Sequence, residues 1–414
     1  MRHAMLAPLA LLLCAAAHAG DYQFSGQVQA VLIDQQPATI GPAAWAIGID
    51  PGIATLPASG GWLETQLRLI GNGLTASGTL WQQREEGQPW QHSEWVNELY
   101  VSHGIGDWQF AVGKKIVAWD VGYAFRPNDT VQQETRRTLI TNTIQGRPMF
   151  LAERFDADTA WSIVLVNPTH PSDDRGAEEP ALDFRVYRRN GPLDLYGFAR
   201  YGVRTHGSVG AAAAWVASDA VELHASLRYY SEADTVAIDP AVSGVVKTNP
   251  WANASTSHGM QALIGGTWTS EYQLSVIAEA WWDGTALSNA QWDAWTARNA
   301  QLVDLIGSPV PSGALAANLI WQTAAFGAST SLRRTNLFMQ ASWTLDKWQP
   351  TLDVLYTPAD GGRIVTASLF WQGDTVRLAT GLRFYGGPPD AILAQVPTRR
   401  IGYLSATWAF CSGR

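Results

Sequence analysis

Two groups of charged side chains stand where they could act on a passing solute. The first is crowded into one stretch: Lys115, Asp120, Arg126, Asp129, Glu134, Arg136 and Arg137, interleaved with Trp119, Tyr123, Phe125 and Pro127. The second is spread along the chain at positions that alternate with apolar neighbours: Arg200, Arg204, Glu222, His224, Arg228, Glu279, Arg377 and Arg383. Neither is spaced for bond-making chemistry, for there is no zinc-ligand spacing, glycine-rich phosphate loop or nucleophile elbow. No metal or cofactor is expected, and no enzyme. Fixed charge can instead line a narrow aqueous passage, where it sorts solutes by sign. Segregated to opposite walls, such charges would set up a transverse field; interleaved, they would pair and stiffen the wall. The sequence leaves both open, and with them the preference for anions or cations.

The elements that carry these charges alternate strictly. Phe24, Val28, Ala30 and Leu32 share one face of a strand whose other face holds Gln23, Ser25, Gln27 and Gln29. Leu193, Leu195, Ala199, Tyr201 and Val203 oppose Asp194, Tyr196, Arg200 and Arg204, while Val221, Leu223, Ala225, Leu227 and Tyr229 oppose Glu222, His224, Ser226 and Arg228. Arg377 and Arg383 lie opposite Val376, Leu378, Leu382 and Phe384. A soluble β-sandwich would bury one of these faces and could not tolerate charges there. A transmembrane barrel strand of about 9–11 residues, apolar toward lipid and polar toward a wet lumen, requires them.

About 18 such segments are present: 22–34, 61–71, 73–84, 92–103, 108–117, 147–156, 159–166, 181–189, 193–204, 208–218, 220–231, 258–269, 272–283, 332–344, 348–357, 362–372, 375–385 and 399–410. Links after even-numbered segments are mostly tight turns such as Gly71-Asn72-Gly73 and Asn190-Gly191-Pro192; those after odd-numbered ones are generally longer, with short exceptions near 205–207 and 358–361. The pattern predicts an all-β, transmembrane, antiparallel up-and-down barrel of 16–18 strands, with short periplasmic turns and long extracellular loops. Trp62, Trp95, Trp108, Trp161, Trp215, Trp268, Trp282, Trp343, Trp348, Trp371 and Trp408 fall mostly near strand ends and are expected at the headgroup level.

The N-terminus agrees. Arg2 and His3 precede an apolar run from Met5 to Ala17, and Ala17-His18-Ala19 supplies a small-x-small cleavage site, so residues 1–19 read as a secretory signal and 20–414 as one barrel domain. The first strand follows closely, so no N-terminal plug domain of an energised transporter is expected. Removing Arg2 from 28 basic residues leaves 27 against 36 acidic ones, a net charge of about −9. No basic surface dominates, which argues against nucleic acid. Only Cys411 lies beyond residue 19, so no intrachain disulfide framework is possible.

The stretch 118–146 follows Gly113-Lys114-Lys115 and contains Trp119-Asp120-Val121-Gly122 and Phe125-Arg126-Pro127-Asn128-Asp129. Its aromatics suit a loop folded into the lumen, where it would narrow the passage. The run Gly113–Asp129, about 17 of 414 residues, resembles a stretch of alginate-export-type barrels, in which a Gly-basic pair closes a strand and a Trp-Gly…Pro-x-Asp loop follows. More broadly, the chain resembles Gram-negative porin-like outer-membrane barrels. That resemblance implies a passive channel for small polar or charged solutes, with the outer-membrane lipid, lipopolysaccharide and assembly machinery as partners. The last strand, Gly402, Leu404, Ala406, Trp408 and Phe410 on one face, resembles the C-terminal assembly signal of such proteins, with the tail 411–414 as a departure. Outer-membrane phospholipases are barrels too, but they carry a His-x-Ser-Asn-Gly motif, and His92, His103, His170, His206, His224 and His258 all lack that context.

Three further readings are carried forward. Ser288-Asn289-Ala290-Gln291 reads as a capping box ahead of Trp292, Trp295, Leu302, Val303 and Ile306, a helix decorating the 284–331 loop. Asp173, Asp174, Glu178 and Glu179 read as a solvated acidic loop. Arg68, Arg154 and Arg185 join the lumen charges, with Glu64, Glu153, Asp194 and Asp353 as counter-charges. The alternatives to a channel are a polysaccharide exporter, whose partner would be an oligosaccharide, and a non-conducting surface receptor or scaffold. Oligomeric state is left open.

Overall fold

The computed structural model describes residues 22–55, 57–133, 139–140 and 143–410. Eighteen strands follow in order, each antiparallel to its neighbours: β1 Tyr22–Pro37, β2 Gly60–Gly71, β3 Leu74–Glu85, β4 Gln91–Ile105, β5 Trp108–Lys115, β6 Arg147–Phe155, β7 Thr159–Val166, β8 Ala181–Asn190, β9 Leu193–Gly202, β10 His206–Ser218, β11 Val221–Ile238, β12 Trp251–Thr269, β13 Leu274–Asp283, β14 Thr335–Trp343, β15 Trp348–Thr357, β16 Gly362–Gln372, β17 Val376–Gly386 and β18 Thr398–Phe410. β1 pairs with both β2 and β18, with Gly26 opposite Phe410 and Leu67, so the sheet closes on itself and no edge is left.

The wall is inverted relative to a soluble protein. Leu32, Val112, Leu182, Ile264 and Leu404 are exposed on the outside, Ile264 to 67%. An apolar surface of this extent is stable against lipid tails rather than water. Trp161, Trp215, Trp268, Trp343, Trp348 and Trp408 form an exposed belt near the short-turn end. The prediction fails for Trp62 and Trp95. Trp62 pairs with Val31, and Trp95 with Thr79, which puts both rings on the lumen face. With Trp81 they form a ladder at centroid spacings of 5.8 and 5.6 Å. Arg154 is likewise corrected: it pairs with Trp161 on the outer face and lies near Asp107 and Asp156.

One barrel end carries tight turns. Between β2 and β3 only Asn72 (φ 48°) and Gly73 (φ 76°) intervene, two left-handed residues in the arrangement whose twist matches a two-residue hairpin. The other end carries long connections, among them 38–59, 116–146, 167–180 and 284–334. β11 and β12 run well past the predicted limits, to Ile238 and from Trp251. There the ladder continues beyond the apolar belt. With no lipid to face, the added residues need no apolar side, so the alternation that marks the rest of the barrel is missing.

Three helices from two long loops form a cap at this end: α1 Pro42–Ile49, α2 Asn289–Asp304 and α3 Ser312–Trp321. The capping box is present on α2, with Gln291 N–H donating to Ser288 Oγ and Ser288 N–H to Gln291 Oε1. More than a lone helix forms, however. Ala46, Leu302, Leu315, Ala316 and Leu319 make a small core among the three. Asn318, fully buried, donates to the Val246 carbonyl and accepts from Val246 N–H and the Arg298 guanidinium. No described helix is long and apolar enough to cross a membrane.

Candidate functional site

The connection 116–146, the inner loop, leaves β5 and turns into the barrel. Its charges first organise its own backbone. Asp120 accepts hydrogen bonds from Val121 N–H at 2.8 Å and Asn128 N–H at 2.6 Å, and Asp129 accepts one from Trp119 N–H at 3.2 Å. Burial pushes the Asp120 carboxyl above its ordinary range, against those hydrogen bonds, one from Ser226 and the nearby Arg126 charge.

The wall then grips the loop. Glu279 of β13 takes Tyr123 N–H and Ala124 N–H on its two carboxylate oxygens at 2.6 and 2.7 Å, and His224 Nε2 lies 2.9 Å from the same group. Ser226 Oγ receives Asn128 Nδ2 at 2.8 Å and donates to Asp120 at 2.9 Å. Arg228 reaches the Pro127 carbonyl, and Arg200 the Thr130 carbonyl at 2.8 Å. Glycines allow so close an approach: a Cβ on Gly210 would lie 1.8 Å from Asn128 Oδ1, and one on Gly122 2.5 Å from Leu263.

Apolar contacts complete the seat. Trp119 and Val131 pack on Met149, Leu151, Val164, Val166 and Phe198, a stretch of lumen face that departs from the polar-inside rule because the loop covers it. Phe125 stacks on Trp281 with centroids 5.5 Å apart, and Tyr123 on Phe338 at 6.0 Å.

The predicted wall residues therefore divide into three groups. Arg200, His224, Arg228 and Glu279, with Glu222 against His224, lie on the lumen side but beneath or against the inner loop. Arg204 is not on a strand; it sits in the 203–205 link and pairs with Asp234. Arg377 and Arg383 lie on the opposite arc and face open space. Lys115 closes β5 with its ammonium 5.0 Å from the Tyr100 ring centre, and Arg126 donates to the Gly122 carbonyl. Glu134, Arg136 and Arg137 lie outside the described residues.

Between the described part of the inner loop and that opposite arc lie two cavities. One cavity of about 710 Å3 is lined by Gln27, Gln66, Arg68, Ser77 and Glu98 on the wall and Ile116, Thr143 and Ile144 on the loop side. A second, about 360 Å3, runs between Tyr123, Leu139 and Ile140 and a wall of Asp353, Thr366, Arg383 and Tyr403. Gln29, Arg377 and Thr407 line both, so the cavities adjoin. Arg377 stacks its guanidinium on Phe370 at 4.9 Å, Arg383 donates to Thr366 Oγ1 at 3.0 Å, and Arg68 lies 3.6 Å from Glu98. The amides and hydroxyls of this wall were legible only as the polar half of an alternating strand. Their signal is an inward Gln, Ser or Thr near mid-strand on an arc that the described part of the inner loop leaves uncovered.

The acidic 167–180 loop is not fully solvated. Glu179 is buried and accepts from Arg204 N–H, Thr205 N–H and Thr205 Oγ1 at 2.6–2.7 Å. Burial alone would raise its carboxyl, but these bonds and the Arg200 charge outweigh it and hold the group below the ordinary carboxylate range.

No family model matches the chain, and no curated protein matches it by sequence. Solved structures do. Acinetobacter baumannii OccAB3 superposes with a TM-score of 0.53 at 5% identity, covering 94% of this chain and 99% of that one. OccAB1 of the same organism gives 0.51 at 9% identity, over 94% and 95%. A triple mutant of the Rhodopseudomonas blastica porin gives 0.44 at 11%, over 94% and 100%. At these identities the likeness is one of fold: the chain is a closed, multi-pass β-barrel of the Gram-negative outer-membrane type.

Proposed function

We propose that the protein is a passive outer-membrane channel for small polar solutes, with its long loops on the cell surface and its aperture set by the inner loop. The observation that carries this reading is a pair of adjoining, largely polar cavities beside a loop gripped by one wall. A lumen filled by packing would need apolar inner faces all round. Here apolar inner residues occur under the loop, while the free arc presents Gln27, Gln29, Gln66 and Thr407 with Arg68, Arg377 and Arg383. Such a wall exchanges a solute's hydration for amide and hydroxyl contacts, and its arginines bias the choice. No bond is made or broken.

The test is single-channel recording from the folded, detergent-purified protein in a planar bilayer with asymmetric salt. Steps of constant size are expected, with a reversal potential that gives the sign of the filter, and removing residues 120–137 enlarges the steps. Silence from well-folded protein would overturn the channel reading and favour a surface receptor.

A further inference from the structure

On the long-loop side of the inner loop lies a separate cavity of about 200 Å3, enclosed by the inner loop at Gln133, the 167–180 loop, β11, β12 and the 284–334 connection. This is the space of about six or seven waters at roughly 30 Å3 each, and below the roughly 300 Å3 at which pockets for drug-sized molecules begin. Its charged walls are largely spent on one another. Arg200 binds Asp183 at 2.9 Å and Glu179 at 3.3 Å, Glu179 is saturated by Thr205 and Arg204, and Asp234 holds both Arg175 and Arg204. Arg228 is engaged by Ser208 Oγ and the Pro127 carbonyl, and Glu232 lies 3.6 Å from His206 Nδ1.

The remaining groups are neutral. Thr205, Gln261, Thr285 and Ser329 line the cavity, and so does Tyr230. Tyr230 is 2% exposed and its hydroxyl has no hydrogen-bond partner among the described residues. Its ring fits only because positions 259 and 284 are glycine: a Cβ there would stand 2.1 and 3.0 Å from the phenol oxygen. A buried hydroxyl left unmatched is destabilising, and an oxygen of a bound solute would satisfy it.

We infer that this cavity is a binding site for a neutral polyhydroxylated solute of monosaccharide size, held on the surface side of the inner loop before it enters the passage. A sugar ring presents alternating donors and acceptors all round and carries no charge, which matches a wall of hydroxyls and amides whose ions are already paired. The inference deepens the channel reading, on which it rests for the solute's route, but the binding is measured without current.

The experiment is calorimetric titration of the full barrel in detergent with glucose, and separately with acetate, at low and high salt. Saturable glucose binding, insensitive to salt, is expected. Tyr230→Phe keeps the ring and its seat between the glycines, and weakens the binding about fivefold, the value of one neutral hydrogen bond. Heat-dependent gel mobility of the variant checks that the barrel is folded. Binding of acetate alone, lost at high salt, would overturn the inference in favour of an anion site on Arg228; absence of glucose binding to folded protein, or unchanged affinity in Tyr230→Phe, would overturn it outright. A silent bilayer alongside intact glucose binding would sink the channel and leave the site.

Discussion

Replacing Glu279 by glutamine should loosen the inner loop without disturbing the barrel. The carboxylate holds two backbone amides of the loop at 2.6 and 2.7 Å. A hydrogen bond to an ionised acceptor contributes about 1.5–3 kcal/mol, a neutral one about 1 kcal/mol. Glutamine keeps the shape but offers one carbonyl oxygen and turns an NH2 toward the other amide, so one bond is lost and the other becomes neutral. The net loss is about 3 kcal/mol, which at roughly 1.4 kcal/mol per decade raises the detached population about a hundredfold. Hydrogen exchange followed by mass spectrometry reads this directly. The peptide containing Tyr123 and Ala124 should exchange about a hundredfold faster, while peptides from β12 and β13 keep their protection. In the bilayer the same variant should show brief excursions to a larger conductance. Unchanged exchange at 123–124 would refute the clamp, and slowing or speeding everywhere would mean that Glu279 holds the barrel rather than the loop.

Gly210→Val places a side chain where Asn128 Oδ1 sits, since even a Cβ would stand 1.8 Å away; the loop should lose its bond to Ser226, at a cost of about 1–3 kcal/mol, and conductance steps should widen. Arg377→Gln combined with Arg383→Gln should move the reversal potential toward cation preference, and Asp353→Asn should move it the other way. Acid should act in two stages. Asp120, raised by burial, favours its protonated form in the docked loop, so its contribution is present at low pH and is lost as pH rises through its folded value. Glu179 is depressed, so its latch on Thr205 holds above the ordinary carboxylate range and fails only as pH falls below it. Conductance recorded against pH should therefore first fall on mild acidification, an effect absent in Asp120→Asn, before noise from the 167–180 loop appears. Asn318→Leu strips Arg298 and Val246 of their partner, costing about 1–3 kcal/mol; limited proteolysis should then cut the cap at 239–250 while the barrel survives.

Much of the barrel was legible because lipid on one side and water on the other force a period of two, and that force ends where the lipid ends. Strands β7, β15 and β16 fall on their predicted limits for this reason, and the outer halves of β11 and β12 do not. The same reasoning misplaced Trp62 and Trp95: nearness to a strand end says how deep an indole lies, but only register says which side it faces. Arg154 was misread because a charge on the outer face is tolerable at the interface, where Asp107 and Asp156 accompany it. The candidate site was less readable. Alternation puts Arg200, His224, Arg228 and Glu279 inside, yet whether an inward charge meets solute or a folded-in loop depends on contacts between positions 70 to 156 residues apart. The inward Met149, Leu151, Val164 and Val166 were the available sign, since polar lumens do not spend such residues on water.

Because the stretch 119–131 of the inner loop is seated on the wall from β6 to β14, the cylinder has two kinds of circumference. Along the arc from β6 to β14 the wall is double, and inward side chains such as Arg200, Ser226 and Glu279 answer to a neighbour within the protein. Along the arc that carries Gln29, Asp353, Arg377 and Thr407 the wall is single over the described residues, and side chains border cavity space with only wall neighbours such as Ser405 and Phe370 beside them. A change of traffic and a change of stability are thereby uncoupled: exchanging an amide for a charge on the single-walled arc re-tunes the sieve at little folding cost, while the same exchange on the other arc unseats the loop. A protein built this way can be refitted for a different solute from one side of its bore while the other side keeps it standing.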